Sequence, residues 1–266
     1  VIRSTFRLAP GIGAYLESAL WTSGIRRWED FPPGEVEGVT PRTADRLRAA
    51  IALAAEALAR GDAEGLASMI PRAERWRLYA AFVEEAAFLD VEVDGDGLTA
   101  IGVLDREGPR LFLAGRDLHL FPEAARAWKL LVTFNGHAFD VPALRAAFPG
   151  WKAPRAHVDL RHLWGRLGHT GGLKLLEHET GVGRPPSVAG LGGGDAVRLW
   201  RAHLAGDAGA LRTFAEYNLH DAVNLRPLMD LAYNRMIERL RLPAAPVAVR
   251  ERGDFRYDMT KVLLAL

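Results

Sequence analysis

Ala86-Ala87-Phe88-Leu89-Asp90-Val91-Glu92 is the stretch on which the fold turns. Four apolar residues run into two carboxylates separated by one valine, which reads as a buried strand. Side chains alternate along a strand, so Asp90 and Glu92 point to the same side. Two like charges held together repel, and burying them unpaired is costly. A divalent cation is the commonest reason for a fold to keep such a pair. Ligands that are oxygen only imply Mg²⁺ or Mn²⁺ rather than Zn²⁺. Clustered carboxylates holding two such ions are the usual apparatus of phosphodiester hydrolysis. Taken alone, the pair is equally read as two charges on the solvent face of a surface strand.

Outward from this stretch the pattern changes period. Upstream, residues 1–82 read as a small helical region. Pro10-Gly11-Ile12-Gly13 opens a helix over 14–20. Thr40-Pro41 caps one over 42–60 with an apolar face at Ala49, Leu53 and Leu58, and a third covers 71–82. Downstream, residues 86–92, 98–104 and 110–114 form a meander joined by Gly/Asp turns. A helix is expected at 122–128, a fourth strand at 130–134, a helix at 139–147 and a fifth strand at 156–160. Helices follow at 160–167, 173–180, 196–205 and 209–240. The segments 1–82, 83–242 and 243–266 are therefore read as a helical region, the main domain, and a tail that docks as a strand or stays mobile.

Two further carboxylates stand out. Asp140 ends Thr133-Phe134-Asn135-Gly136-His137-Ala138-Phe139-Asp140, where Val141-Pro142 makes it a good helix N-cap. Asp221 sits in Ala215-Glu216-Tyr217-Asn218-Leu219-His220-Asp221 among residues that cover the helix, with Tyr217 one turn earlier on the same face. Tyr217 is read either as a packing residue with its hydroxyl on a backbone carbonyl or as a phenol that hydrogen-bonds an attacking water.

These motifs, in this order, resemble those of the DEDD 3′→5′ exonucleases of the RNase H-like superfamily. Tyr217-x-x-x-Asp221 is similar to the tyrosine branch. With Ser4 to Gly13, His157 to Trp164, Gly172 to Gly181 and Ala215 to Leu225, nearly the whole chain resembles the YprB-type ribonuclease H-like proteins. The resemblance implies an α/β fold, an RNase H-like mixed five-stranded sheet with helices on both faces, preceded by the helical region. It implies that Asp90, Glu92, Asp140 and Asp221 hold two Mg²⁺ or Mn²⁺ ions, that Tyr217 orients the water, and that Asn135 helps organise the site. The activity implied is removal of nucleotides from single-stranded 3′ ends of DNA or RNA, in repair or processing. A structure-directed endonuclease and a catalytically silent partner of a helicase are the alternatives. The chain departs from the family in reading Val93-Asp94-Gly95 after Glu92, and in Tyr217, where relatives often carry His.

Arg145, Lys152, Arg155, Arg161, Arg166 and Lys174 form a basic stretch with Trp151 and Trp164 interleaved. It is read either as a solvated face or as a track for a phosphate backbone with aromatic stacking. Arg161, Arg166 and Lys174 are the candidate contacts, Lys174 the best placed, near a helix start after Gly171-Gly172. Pro10-Gly11-Ile12-Gly13 resembles a helix–hairpin–helix turn and is read as structural or phosphate-binding. Most histidines are not expected to be ligands. Asp159 is read as a helix cap or as support for the metal site.

Composition fits this reading. The chain has 266 residues, 49% hydrophobic and 25% charged, with a formal charge of +1. Cysteine is absent, which excludes disulfides and Cys-ligated zinc. No apolar run reaches the length of a membrane span, and no signal segment opens the sequence. A cytoplasmic location is the expectation.

Overall fold

A computed structural model describes residues 1–95, 97–249 and 259–266. Its centre is a five-stranded sheet of β1 (Ala86–Asp94), β2 (Gly97–Asp105), β3 (Gly108–Leu113), β4 (Leu130–Thr133) and β5 (His157–Asp159), in the order β3-β2-β1-β4-β5. β2 lies antiparallel to β1 and β3, while β4 runs parallel to β1 and β5 parallel to β4. The mixed sheet expected from the meander and the alternating segments is the sheet observed.

Alternation along β1 sorts its residues between two layers. Ala87, Leu89 and Val91 face a cluster built from Phe112, Phe121, Trp128, Leu131, Val141, Leu144 and Trp151. This layer contains α4 (Phe121–Ala124) and α5 (Asp140–Ala147). Phe88 faces the other layer, with Leu104, Val132 and Val158, and Asp90 and Glu92 continue that face. Here lie α6 (Leu160–Arg166), α7 (Leu173–Thr180) and the 33-residue α9 (Ala208–Leu240), which packs on both β1 and β2. The third cluster joins β2 and β3 to α8 (Gly193–Leu204), α9 and α10 (Thr260–Leu264) through Leu111, Leu113, Trp200 and Phe214.

One glycine sets how closely α9 approaches. Gly102, opposite Asp90 in the β1–β2 register, faces Asn218 of α9. A Cβ there would lie 2.5 Å from Asn218 Oδ1 and 3.0 Å from its backbone oxygen. A glycine inside a strand at a close backbone approach is its characteristic use.

The N-terminal helices α1 (Ala14–Thr22), α2 (Pro41–Ala59) and α3 (Ala63–Met69) share one apolar cluster with the sheet. Phe6, Leu47 and Trp76 belong to the same cluster as Phe88, Val132 and Tyr233. A buried ion network ties the segment together. Arg77, 2% exposed, donates to both oxygens of Glu17 and to Glu74, and Arg7 donates to Glu74. Every charge is thereby paired, the condition on which a buried network is tolerated.

Several expectations need correcting. In α2 the buried stripe is Ala44, Leu47, Ala50, Ala54 and Ala57, whereas Ala49 is exposed and Leu53 is 60% exposed. Small residues form the contact face, so the larger side chains misplace it. The helix expected at 122–128 is α4 followed by a 3-10 turn, and residues 72–81 form a 3-10 helix rather than an α-helix. Helix α3 was not anticipated; Asp62 caps it by accepting from Gly65 N. In the tail, α10 is a short helix, and residues 250–258 lie outside the described residues.

Candidate active site

Asp90 and Glu92 emerge on the α9 face of β1, and Asp221 meets them from α9. One oxygen from each of the three lies within 4.8 Å of the others. Asp140, the fourth carboxylate, lies outside that set. Its Oδ1 accepts from Val91 N at 3.1 Å, which pins it against β1 between the other two acids of the strand. It is the first residue of α5 rather than its cap, a position held by Phe139. The strand amide takes the carboxylate that the capping pattern assigned to the helix.

The cluster is electrostatically uncomfortable as it stands. Burial, and then Asp221, Glu92 and Asp140, push the Asp90 carboxyl well above its ordinary range. Burial and Asp221 push Glu92 up to about 8. Burial raises Asp140 to about 7, against the lowering effect of its hydrogen bonds. Carboxyls raised in this way by burial and by one another form an environment that favours a cation.

Some compensation comes from the chain itself. Lys174 Nζ and Arg184 both donate to Asp221 Oδ1. Lys174 lies 4.4 Å from the centre of the Tyr217 ring, a cation–π distance. Arg184 is held by both oxygens of Glu177 at 2.6 Å, and Asn224 donates to Glu177 at 2.9 Å. Burial would lower the Arg184 pKa, but Glu177 and Asp221 overcome it and raise it. Asn218 donates to Asp90 Oδ2 at 2.9 Å. Tyr217, 3% exposed, is hydrogen-bonded to Asp221, and burial followed by the charges of Asp221, Glu92 and Asp90 raises its pKa.

The remaining sequence candidates separate in space. Asn135 adopts a left-handed φ of 66°, accepts from Arg161 at 3.0 Å, and donates its N–H to Asp159. Gly136 follows because a Cβ would lie 2.2 Å from Thr133 Oγ1. Asp159 caps α6 through Arg161 N and also accepts from His137 N. Arg166 donates to Glu74 and to the Ala73 carbonyl, away from Lys174. Trp151 and Trp164 are 8% and 1% exposed, so of the two readings of the basic stretch the aromatic stacking falls away: both rings are core. Ile12 buries itself and the Pro10–Gly13 turn leads directly into α1.

Asn218, Arg184 and Glu177 escaped the sequence reading. Asn218 had a signal, lying three residues before Asp221 on the same helix face. Arg184 and Glu177 had none, since Arg184 reaches both Glu177 and Asp221 only through the way the loop after α7 folds back.

A family model for the RNase H superfamily matches residues 87–233, a span that contains all four carboxylates. The chain belongs to the RNase H superfamily. No curated protein and no solved structure matches it. Membership fixes the broad class, nuclease chemistry on nucleic acid, for which divalent metals are typical in the superfamily. The donor set suits such a metal: oxygen ligands only, self-repelling, and raised in pKa by burial and by each other. No helix among the described residues is long and apolar enough to cross a membrane.

Proposed function

We propose that the protein is a metal-dependent 3′→5′ exonuclease. The observation that carries this reading is the convergence of Asp90, Glu92 and Asp221 within 4.8 Å, with Asp140 pinned beside them and Tyr217 bonded to Asp221. Asp90, Glu92, Asp140 and Asp221 would hold Mg²⁺ or Mn²⁺. Bound there, such ions supply Lewis acidity and make water nucleophilic near neutral pH.

The chain's own residues do the rest. Tyr217 stays protonated at any physiological pH, because its pKa lies above the ordinary value. It therefore orients the attacking water by hydrogen bonding and does not act as the base. Lys174 stands by Asp221 as a mobile cation on a flexible stem and can turn toward a phosphate oxygen. Arg184 is fixed by Glu177 and holds Asp221 in place. Asn218 does the same for Asp90. Water oxygen bonds to phosphorus, the bond from phosphorus to the 3′ oxygen breaks, and that oxygen takes a proton. The products are a nucleoside 5′-monophosphate and a strand shortened by one residue.

The test is cleavage of 5′-labelled single- and double-stranded DNA and RNA in Mn²⁺, with Asp221→Asn as control. A ladder shortening from the 3′ end, absent in the variant, is expected. Discrete internal cuts would replace the reading by an endonuclease on the same fold. No cleavage of any substrate would overturn it.

A further inference from the structure

Two histidines and an aspartate meet at the end of β5, apart from the four carboxylates. Asp159 closes β5 and caps α6, His162 stands in the first turn of that helix, and His137 lies between β4 and α5. One ligand atom from each lies within 4.8 Å of the others. All three line a cavity of about 430 Å³ beside β5, and His162 is exposed, so an ion can reach them. Asp159 Oδ2 is the hub, 3.1 Å from His137 Nδ1 and 4.0 Å from His162 Nε2. Ligands held at about 2.0–2.1 Å in a tetrahedron stand about 3.3 Å apart, so both separations close on one ion with small side-chain movements. The His137 nitrogen carries a further sign. It is buried and has no hydrogen-bond partner among the described residues, although Asp159 Oδ2 is within reach. A ring nitrogen so near a carboxylate oxygen, yet not aimed at it, is how two ligands of one metal stand. Each is directed at the ion and not at the other.

We propose that His137, Asp159 and His162 form a Zn²⁺ site with its fourth position open to water. Without cysteine, imidazole and carboxylate are the donors left, and two nitrogens favour zinc over the Mg²⁺ or Mn²⁺ that an oxygen-only cluster takes. The carboxylate is ready for a cation. Burial would raise Asp159, but its contacts with His137 and the Asn135 N–H prevail and hold it at about 2. The backbone N–H groups of Asn135, His137 and Arg161 fix its oxygens, the outer support that orients a metal ligand. His157 buttresses the His137 ring with centres 4.1 Å apart, its own Nε2 on Thr133 Oγ1 at 2.8 Å. Of the two guanidinium groups lining the cavity among the described residues, Arg166 is paired with Glu74. Arg72 is the competitor. Its Nε donates to His137 Nε2 at 3.0 Å, which keeps the ring proton on Nδ1. Arg72 is exposed and can swing into solvent. The proton then moves to Nε2, where a ligating imidazole ordinarily carries it, and Nδ1 offers its lone pair. An ion held there ties the turn that leads to Asp140 onto α6. The site shares no ligand with the four carboxylates, so it stands whether or not the exonuclease reading does.

The experiment titrates Zn²⁺ calorimetrically into the full chain carrying Asp221→Asn, in excess Mg²⁺, so that the carboxylate cluster is disabled. His162→Ala and Arg72→Ala are each added to that background. Saturable Zn²⁺ binding is expected in Asp221→Asn. His162 is exposed, so His162→Ala leaves the fold intact. It should weaken binding by more than the about 10–100-fold that loss of an outer partner costs. Arg72→Ala should tighten binding by about tenfold, because it frees the His137 ring to move its proton. Co²⁺ should give the visible absorption of a four-coordinate ion with nitrogen ligands in Asp221→Asn and lose it when His162→Ala is added. Zn²⁺ should raise the melting midpoint of the first protein and not of the second. Zn²⁺ affinity unchanged by His162→Ala would overturn the proposal. So would weaker binding in Arg72→Ala, or no saturable Zn²⁺ binding in Asp221→Asn, which would leave the three side chains as the scaffold of a helix cap.

Discussion

Gly102→Ala tests whether the spacing between α9 and the sheet sets the geometry of the carboxylate cluster. The added methyl would stand 2.5 Å from Asn218 Oδ1 and 3.0 Å from the Asn218 backbone oxygen, where ordinary contact begins near 3.4 Å. The side-chain amide can rotate away, but only by giving up its 2.9 Å bond to Asp90 Oδ2. The backbone oxygen belongs to a helix buried along its middle, so α9 must shift by a few tenths of an ångström. Overpacking of this kind costs about 1–3 kcal/mol, which denaturant unfolding would read as a lower midpoint at unchanged slope. The larger effect falls on the site, because Asp221 rides on α9 one turn beyond Asn218. Calorimetric Mn²⁺ affinity should fall about tenfold or more, and cleavage with it. Gly97→Ala is the control, since its Cβ meets only the Asp94 carbonyl at 3.4 Å. A Gly102→Ala protein that loses stability yet binds Mn²⁺ like the wild type would show that α9 spacing does not govern the cluster.

Asp90→Asn should abolish cleavage while raising the midpoint of thermal unfolding in EDTA, because one repelling charge leaves a buried cluster; a lower midpoint would count against the repulsion. Glu92 and Asp140 titrate in the folded protein near 8 and 7, above the ordinary carboxylate range, so their folded forms hold protons that the unfolded chain has released. Metal-free stability should therefore be full near pH 4, fall as pH rises through about 8, and be restored by Mn²⁺ most strongly at the alkaline end, as melting curves across pH would show. Tyr217→Phe keeps the ring beneath Lys174 and should cost roughly 1 kcal/mol of stability. Single-turnover cleavage should nevertheless slow by about ten- to a thousandfold, and a wild-type rate would leave the hydroxyl with a packing role only.

The sheet was legible because its segments obey simple periods. Ala86 to Leu89 is an unbroken apolar run that passes into alternation at Asp90-Val91-Glu92, and short Gly-rich turns bound the two strands that follow. The four acids were legible for the same reason, each standing where an apolar pattern breaks. What escaped depends on contacts that sequence neighbours do not encode. Arg184 reaches Asp221 from a loop 37 residues away. Asp140 looked like a cap because Val141-Pro142 follows it, and only the fold brings Val91 N within reach. The stacking alternative for the basic stretch fails at Trp151 and Trp164 because one-dimensional interleaving does not distinguish a ring facing outward from one in the core.

The segment matching the superfamily begins at residue 87, but the apolar interior does not stop there. Tyr79 donates to Asp230 at 2.5 Å, and the rings of Trp76 and Tyr233 meet edge-on with centres 5.8 Å apart. A protein trimmed to residues 87–233 would leave the far end of α9 facing water with Asp230 stripped of that donor. The helical prelude therefore serves as the lid of the interior, and the catalytic half cannot be borrowed without it. Any fusion or transplantation of this nuclease has to carry the first 86 residues along, or redesign the surface of α9 that they cover.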